Sequence, residues 1–172
     1  MPGQAIGTSM LYGYPGTVSR TPDSIIMNRP VKDTDETGPA FGEPVVLNTD
    51  NTYSRFGATG AMATFGGVAI REVKQTADYY SAEGQYQPGE ACDVIQRGSV
   101  MVLCNIGTPT AGGEAYIRTE LGSNPLGVVG QFEAAAAADG GTTVEITNCR
   151  WKTGLKDANN VAELEILTKN LP

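Results

Sequence analysis

The sequence predicts an all-β protein: a single compact β-barrel-like or β-sandwich domain of short antiparallel strands, with an extended irregular N-terminal arm. Three observations carry this expectation. Glycine (22) and proline (10) are frequent among the 172 residues while aromatic side chains make up only 7%, which suits many short strands joined by tight turns. Apolar and polar residues alternate with period 2 in stretches such as Thr142–Trp151 and Val161–Leu167, the pattern of half-exposed strands. The strongest helix-forming run, Ala134–Ala138, is too short to stand as a helix and is followed at once by the turn signal Asp139-Gly140-Gly141.

Residues 1–43 are set apart as the arm, and residues 44–172 as the β domain. The arm is crowded with breakers, among them Pro2, Gly7, Gly13, Pro15, Gly16, Pro22, Pro30, Gly38, Pro39 and Gly42, and shows no sustained period. It also holds too many apolar groups for a solvated tail: Leu11, Tyr12, Tyr14, Ile25, Ile26 and Met27. Either it is a strap packed on its own domain or it reaches onto a neighbouring subunit, with those six side chains and Arg20 making the contact.

Within the β domain, Pro44–Leu47 reads as a short strand closed by the turn-forming Asn48-Thr49-Asp50-Asn51. Phe56–Gly67 is a glycine-rich loop leading into a strand over Val68–Val73. It lacks the Gly-Lys-Ser/Thr ending of a phosphate-binding loop. Tyr86–Cys104 reads as a central hairpin, split at Gln96-Arg97-Gly98-Ser99 and entered through the Pro88-Gly89 turn. Its second half, Val100–Cys104, is apolar throughout and so is expected to be buried on both faces. Ala115–Arg118 and Val128–Phe132 are further strands. Thr142–Trp151 and Val161–Leu167 form a last hairpin across the polar loop Thr153–Asn160, with Leu164 and Ile166 inward, Glu163 and Glu165 in water, and Trp151 closing one end of the core.

The chemistry points away from catalysis. With no histidine in the chain, the commonest general base is missing, and with it the histidine-containing zinc sites and nucleophilic triads. Glu163 and Glu165 share a strand face, as any solvated i, i+2 pair would. Asp33-Thr34-Asp35-Glu36 resembles part of a calcium loop but lacks its glycine and terminal glutamate. The expectation is no catalytic residues, no metal and no cofactor. A net charge of −7 argues against nucleic acid, and no apolar run approaches the length needed to cross a bilayer, so residence in the cytosol of the host cell is expected. Cys92, Cys104 and Cys149 have no paired spacing; they are expected to be reduced core residues, although the hairpin would set Cys92 opposite Cys104. Tyr79, Tyr80 and Tyr86 are either rim residues or a sugar-stacking platform.

The order of elements carries a resemblance over nearly the whole chain. Gly13-Tyr14-Pro15-Gly16-Thr17-Val18-Ser19-Arg20 is followed by Gly42-Glu43-Pro44-Val45 and Phe65-Gly66-Gly67-Val68-Ala69-Ile70-Arg71. Then come Pro88-Gly89-Glu90 with Arg97-Gly98-Ser99-Val100-Met101-Val102, Ala115-Tyr116-Ile117-Arg118, Gly130-Gln131-Phe132 and Cys149-Arg150-Trp151-Lys152. Taken together, this resembles the structural cement, or head-decoration, proteins of tailed bacteriophages. The resemblance implies a β-barrel-like virion protein, often trimeric, that binds the outside of an icosahedral head and bridges major capsid protein subunits to stabilise the expanded shell. It brings no catalytic residues. The alternative is a tail-associated carbohydrate- or receptor-binding module built on the three tyrosines.

Overall fold

The computed structural model describes residues 11–72 and 84–169. Its strands are β1 (Val18–Pro30), β2 (Pro44–Leu47), β3 (Tyr53–Arg55), β4 (Phe65–Ala69), β5 (Ala91–Leu103), β6 (Glu114–Glu120), β7 (Phe132–Glu133), β8 (Thr142–Lys156) and β9 (Val161–Ile166), with a 3-10 turn at Met62–Thr64. All pair antiparallel in one sheet ordered β3-β2-β4-β5-β9-β8-β6-β7, with β1 also on β5. The sheet curls into a half-barrel, so the expected all-β single domain is what the chain forms.

β5 organises the sheet, but as one continuous strand of 13 residues rather than as a hairpin. Gly98 adopts φ +116, a value that glycine tolerates in a turn or a bulge alike. A bulge forms because each half of β5 finds long-range partners. β1 runs alongside it from Ala91 to Val100, so β4, at Val94 and Ile95, and β9, from Gly98 to Leu103, share the opposite edge. The sheet forks at Gln96 and Arg97, and curls there. A Cβ at Gly98 would lie 3.1 Å from the Ser24 Cα. Continuity of β5 also removes the facing cysteine pair: Cys92 and Cys104 are separated by roughly 40 Å of extended chain, and all three cysteines are free and buried.

Side-chain alternation divides the core into two. Ile95, Val100 and Val102 of β5, with Cys104 just after it, face the concave side, where they meet Phe56, Phe65, Phe132, Trp151, Leu164 and Ile166. Cys92 and Val94 face the opposite side, a smaller cluster with Val31, Val45, Tyr53, Ala69 and Tyr86. Met101 and Leu103, expected inside, are half-buried and belong to neither cluster. Polar side-chain contacts link the β2–β3 end of the half-barrel to the segment that leads into β7. The Arg55 guanidinium donates to Glu43 at 2.8 Å and to the Val129 carbonyl at 3.5 Å, and Gln131 donates to Glu43 at 3.5 Å.

The C-terminal hairpin forms as the alternation predicts. β8 runs five residues beyond Trp151, to Lys156, through a register shift between Trp151 and Lys156, which shortens the connecting turn to Asp157–Asn160. Trp151 lies inside the larger cluster, in the body of β8 rather than at a strand end. Ala134–Ala138 is non-helical as expected, yet β7 and β8 do not pair; β6 lies between them. Of Val128–Phe132 only Phe132 is strand, together with Glu133 in the two-residue β7, and the predicted Val68–Val73 strand starts three residues earlier, at Phe65, and ends at Ala69.

Candidate interaction surface

Part of the segment expected to be an irregular arm is strand, Val18–Pro30. Val18–Pro30 pairs with β5 of its own chain, with register shifts bracketing the Thr21–Ser24 stretch. The pattern was hidden because β1 covers the sheet edge-on and leaves most of its side chains exposed, so no period-2 burial is written into its sequence. In front of it, Gly16 and Thr17 continue the pairing, donating to and accepting from Met101 at 2.7 and 2.9 Å.

Two carboxylates fasten this segment to the β8–β9 hairpin. Glu163, expected in water, is buried and accepts from the Ser19 hydroxyl and the Arg20 Nε, each at 2.8 Å. Burial alone would raise its pKa, but the Arg20 guanidinium and the Ser19 hydroxyl more than offset this and hold it below the usual carboxylate range. Asp157 likewise is pushed up by burial and pulled down further by backbone N–H donors of Tyr12, Val161 and Asn159; the Tyr12 bond is 2.9 Å long. Glu165, two residues on along the same strand, is bonded to Lys152, so the two acids are structural ion pairs on different partners.

The seven residues expected at an interface fall into two groups. Leu11 and Tyr14 lie ahead of β1 and are 60% and 66% exposed, the Tyr14 ring lying 4.3 Å from the Arg71 guanidinium; Tyr12 is half-buried beside Asp157. Ile25, Ile26 and Met27 lie in the second half of β1 and are 36–42% exposed. Arg20 stands between the groups with its guanidinium on Glu163. Pro30 ends the strand, and Arg29 spans to Asn51 and the Tyr53 hydroxyl, at 2.6 Å each.

Tyr86 is not available to a surface platform of three tyrosines. Tyr86 is wholly buried in the smaller core cluster and donates its hydroxyl proton to the Ile70 carbonyl at 2.8 Å; Tyr79 and Tyr80 lie outside the described residues. The acidic turn Asp33–Glu36 contributes Thr34, Asp35 and Glu36 to an open, polar bay of about 480 Å3, with Asn48, Ser54 and Arg55 opposite. Among the described residues no cluster of three or more cysteine, aspartate or glutamate side chains is arranged to hold a metal ion.

Two features were not anticipated. Arg118 is 1% exposed and forms an ion triad with Glu133, also at 1%, and Asp139, at 2.5 and 3.1 Å. Beside it, the loop between β6 and β7 leaves Leu121, Leu126 and Val128 exposed. The absence of lysine and arginine from Thr119 through Cys149 is the sequence signal that marks this stretch.

Polar clusters that tie strand to strand, on a curled sheet whose uncommitted features are exposed aliphatic side chains, define a structural β protein that works through its surfaces. The family model described as the XM1 gp53 minor capsid protein matches residues 3–166; this chain belongs to that family, and is a minor capsid structural protein of the virion and not an enzyme. A solved chain from the capsid of Myoviridae phage XM1 shares the fold, with a TM-score of 0.66 over 99% of this chain and 100% of that one, at 17% identity. No curated protein matches the sequence.

Proposed function

We propose that this minor capsid protein decorates the outer surface of an icosahedral phage head and stabilises the expanded shell by bridging major capsid protein subunits, assembling with itself as a trimer. The supporting observation is the N-terminal segment. Leu11, Tyr14, Ile25, Ile26 and Met27 stand exposed on a stretch that Glu163 and Asp157 pin in place. Exposed aliphatic and aromatic groups on a fixed backbone bind without much further ordering cost, and repetition at symmetry-related sites adds weak contacts as avidity.

Because Val18–Pro30 belongs to the sheet, truncation through residue 28 would uncover the β5 edge, and removal of residues 1–15 is the cleaner test. That truncation, and separately Ile26→Ser with Met27→Ser, should leave a cooperative melting transition, lowered by no more than the lost Tyr12–Asp157 bond in the truncation, and reduce cosedimentation with shells assembled without this protein. Decorated shells should also outlast bare ones on heating. Full binding by both variants would refute the role of the N-terminal segment, and equal melting of bare and decorated shells would refute stabilisation.

A further inference from the structure

The loop from Leu121 to Gln131, between β6 and β7, is irregular in sequence yet fully organised. Arg118, at its base, donates to Glu133 through Nε and Nη2 and to Asp139 through Nη1. Asp139 in turn accepts from the backbone N–H of Asn124 and Gly141 at 3.2 and 3.1 Å, and its carbonyl accepts from Ser123 at 2.9 Å. Gly127 and Gly141 lie against the guanidinium so closely that a Cβ would stand 2.8 and 2.4 Å from its nitrogens. Further hydrogen bonds from Gly127 to Asn124, Gln131 to Val128 and Gly130 to Arg118 complete the frame. On this frame Leu121 and Leu126 are 65% and 63% exposed, and Val128 is 40% exposed.

We infer that this loop is a second docking surface, distinct from the N-terminal segment, whose occupant is an apolar pocket rimmed by lysine or arginine on another protein of the capsid. The pocket's apolar character follows from the aliphatic side chains held in water on a rigid loop, which loses little entropy on binding. Its charge follows from the local balance. Between Thr119 and Cys149 there is no lysine or arginine; Glu133 and Asp139 are held on Arg118, and Glu120, exposed beside Leu121, and the half-buried Glu145 remain. A second copy presenting the same loop would be repelled. A basic rim is attracted at close range.

The inference rests on the capsid-binding reading above, and its test separates the two. Full-length wild-type protein and the double variant Leu121→Ser/Leu126→Ser are titrated onto shells assembled without this protein, at low and high salt, alongside the truncation lacking residues 1–15. In parallel, a photocrosslinking residue replaces Leu126 alone in assembled particles. The expected result is binding weakened about tenfold or more by the double substitution, as loss of hydrophobic anchors produces, wild-type binding that falls with salt, and a crosslink to a different capsid protein. If the double variant melts early, the single-site crosslink decides. Wild-type binding matched by the double variant, or a crosslink only to a second copy of this chain, overturns the loop inference and leaves the capsid reading standing. Failure of the wild type to bind shells at all overturns the capsid reading, and the loop inference with it.

Discussion

Arg118→Met should be among the most damaging single substitutions in the chain. Arg118 and Glu133 are each 1% exposed and paired at 2.5 Å, with Asp139 at 3.1 Å on the same guanidinium. Removing the arginine leaves Glu133 charged, buried and without its ion-pair partner, and breaking a buried ion pair from one side costs about 3–5 kcal/mol. For a domain of this size each kcal/mol moves the melting temperature by about 2–4 °C, so a drop of roughly 6–20 °C is expected. The double variant Arg118→Met/Glu133→Leu removes the stranded charge and should recover much of the loss, because an apolar replacement of a buried pair is often near neutral. Thermal melting and urea midpoints of the wild type, both single variants and the double variant form the cycle that isolates the coupling. A single-variant loss under about 1 kcal/mol, the range of a surface pair, would refute the reasoning, as would a double variant no more stable than Arg118→Met.

Two further outcomes follow from named contacts. Glu163 and Asp157 have folded-state pKa values below their ordinary ones, so the stability they contribute is complete above the unfolded carboxylate range and is lost as pH falls through the folded values; below about pH 4 amide hydrogen exchange over residues 12–20 should lose protection before β8 and β9 do, and Glu163→Gln should remove part of that protection already at pH 7. Loss of protection over the whole sheet at once would refute the local anchoring. Gly98→Ala forces a Cβ onto φ +116 and to 3.1 Å from Ser24, with an expected cost of about 1–3 kcal/mol in urea unfolding; a change within a few tenths would mean that the bulge relaxes freely.

What the sequence determined by itself was local. The Thr142–Trp151 and Val161–Leu167 alternation specified the last hairpin because period 2 and a polar turn are properties of neighbouring residues. Pro44–Leu47 and the Asn48–Asn51 turn were legible for the same reason, and so was the refusal of five alanines to form a helix. The exposed apolar groups of residues 11–27 were legible as a surplus of hydrophobes among breakers. Only the tertiary structure decided the rest. Gly98 turns or bulges according to whether β1, β4 and β9 are there to hold β5 straight, and none of them is its neighbour in sequence. Glu163 and Arg118 carry no local sign of burial. One is covered when β1 lays Ser19 and Arg20 over it, and the other when β7 and the Asp139 loop deliver carboxylates to it. A charged side chain enters the interior only where a partner from elsewhere in the chain meets it, and that meeting is fixed by the curl of the sheet.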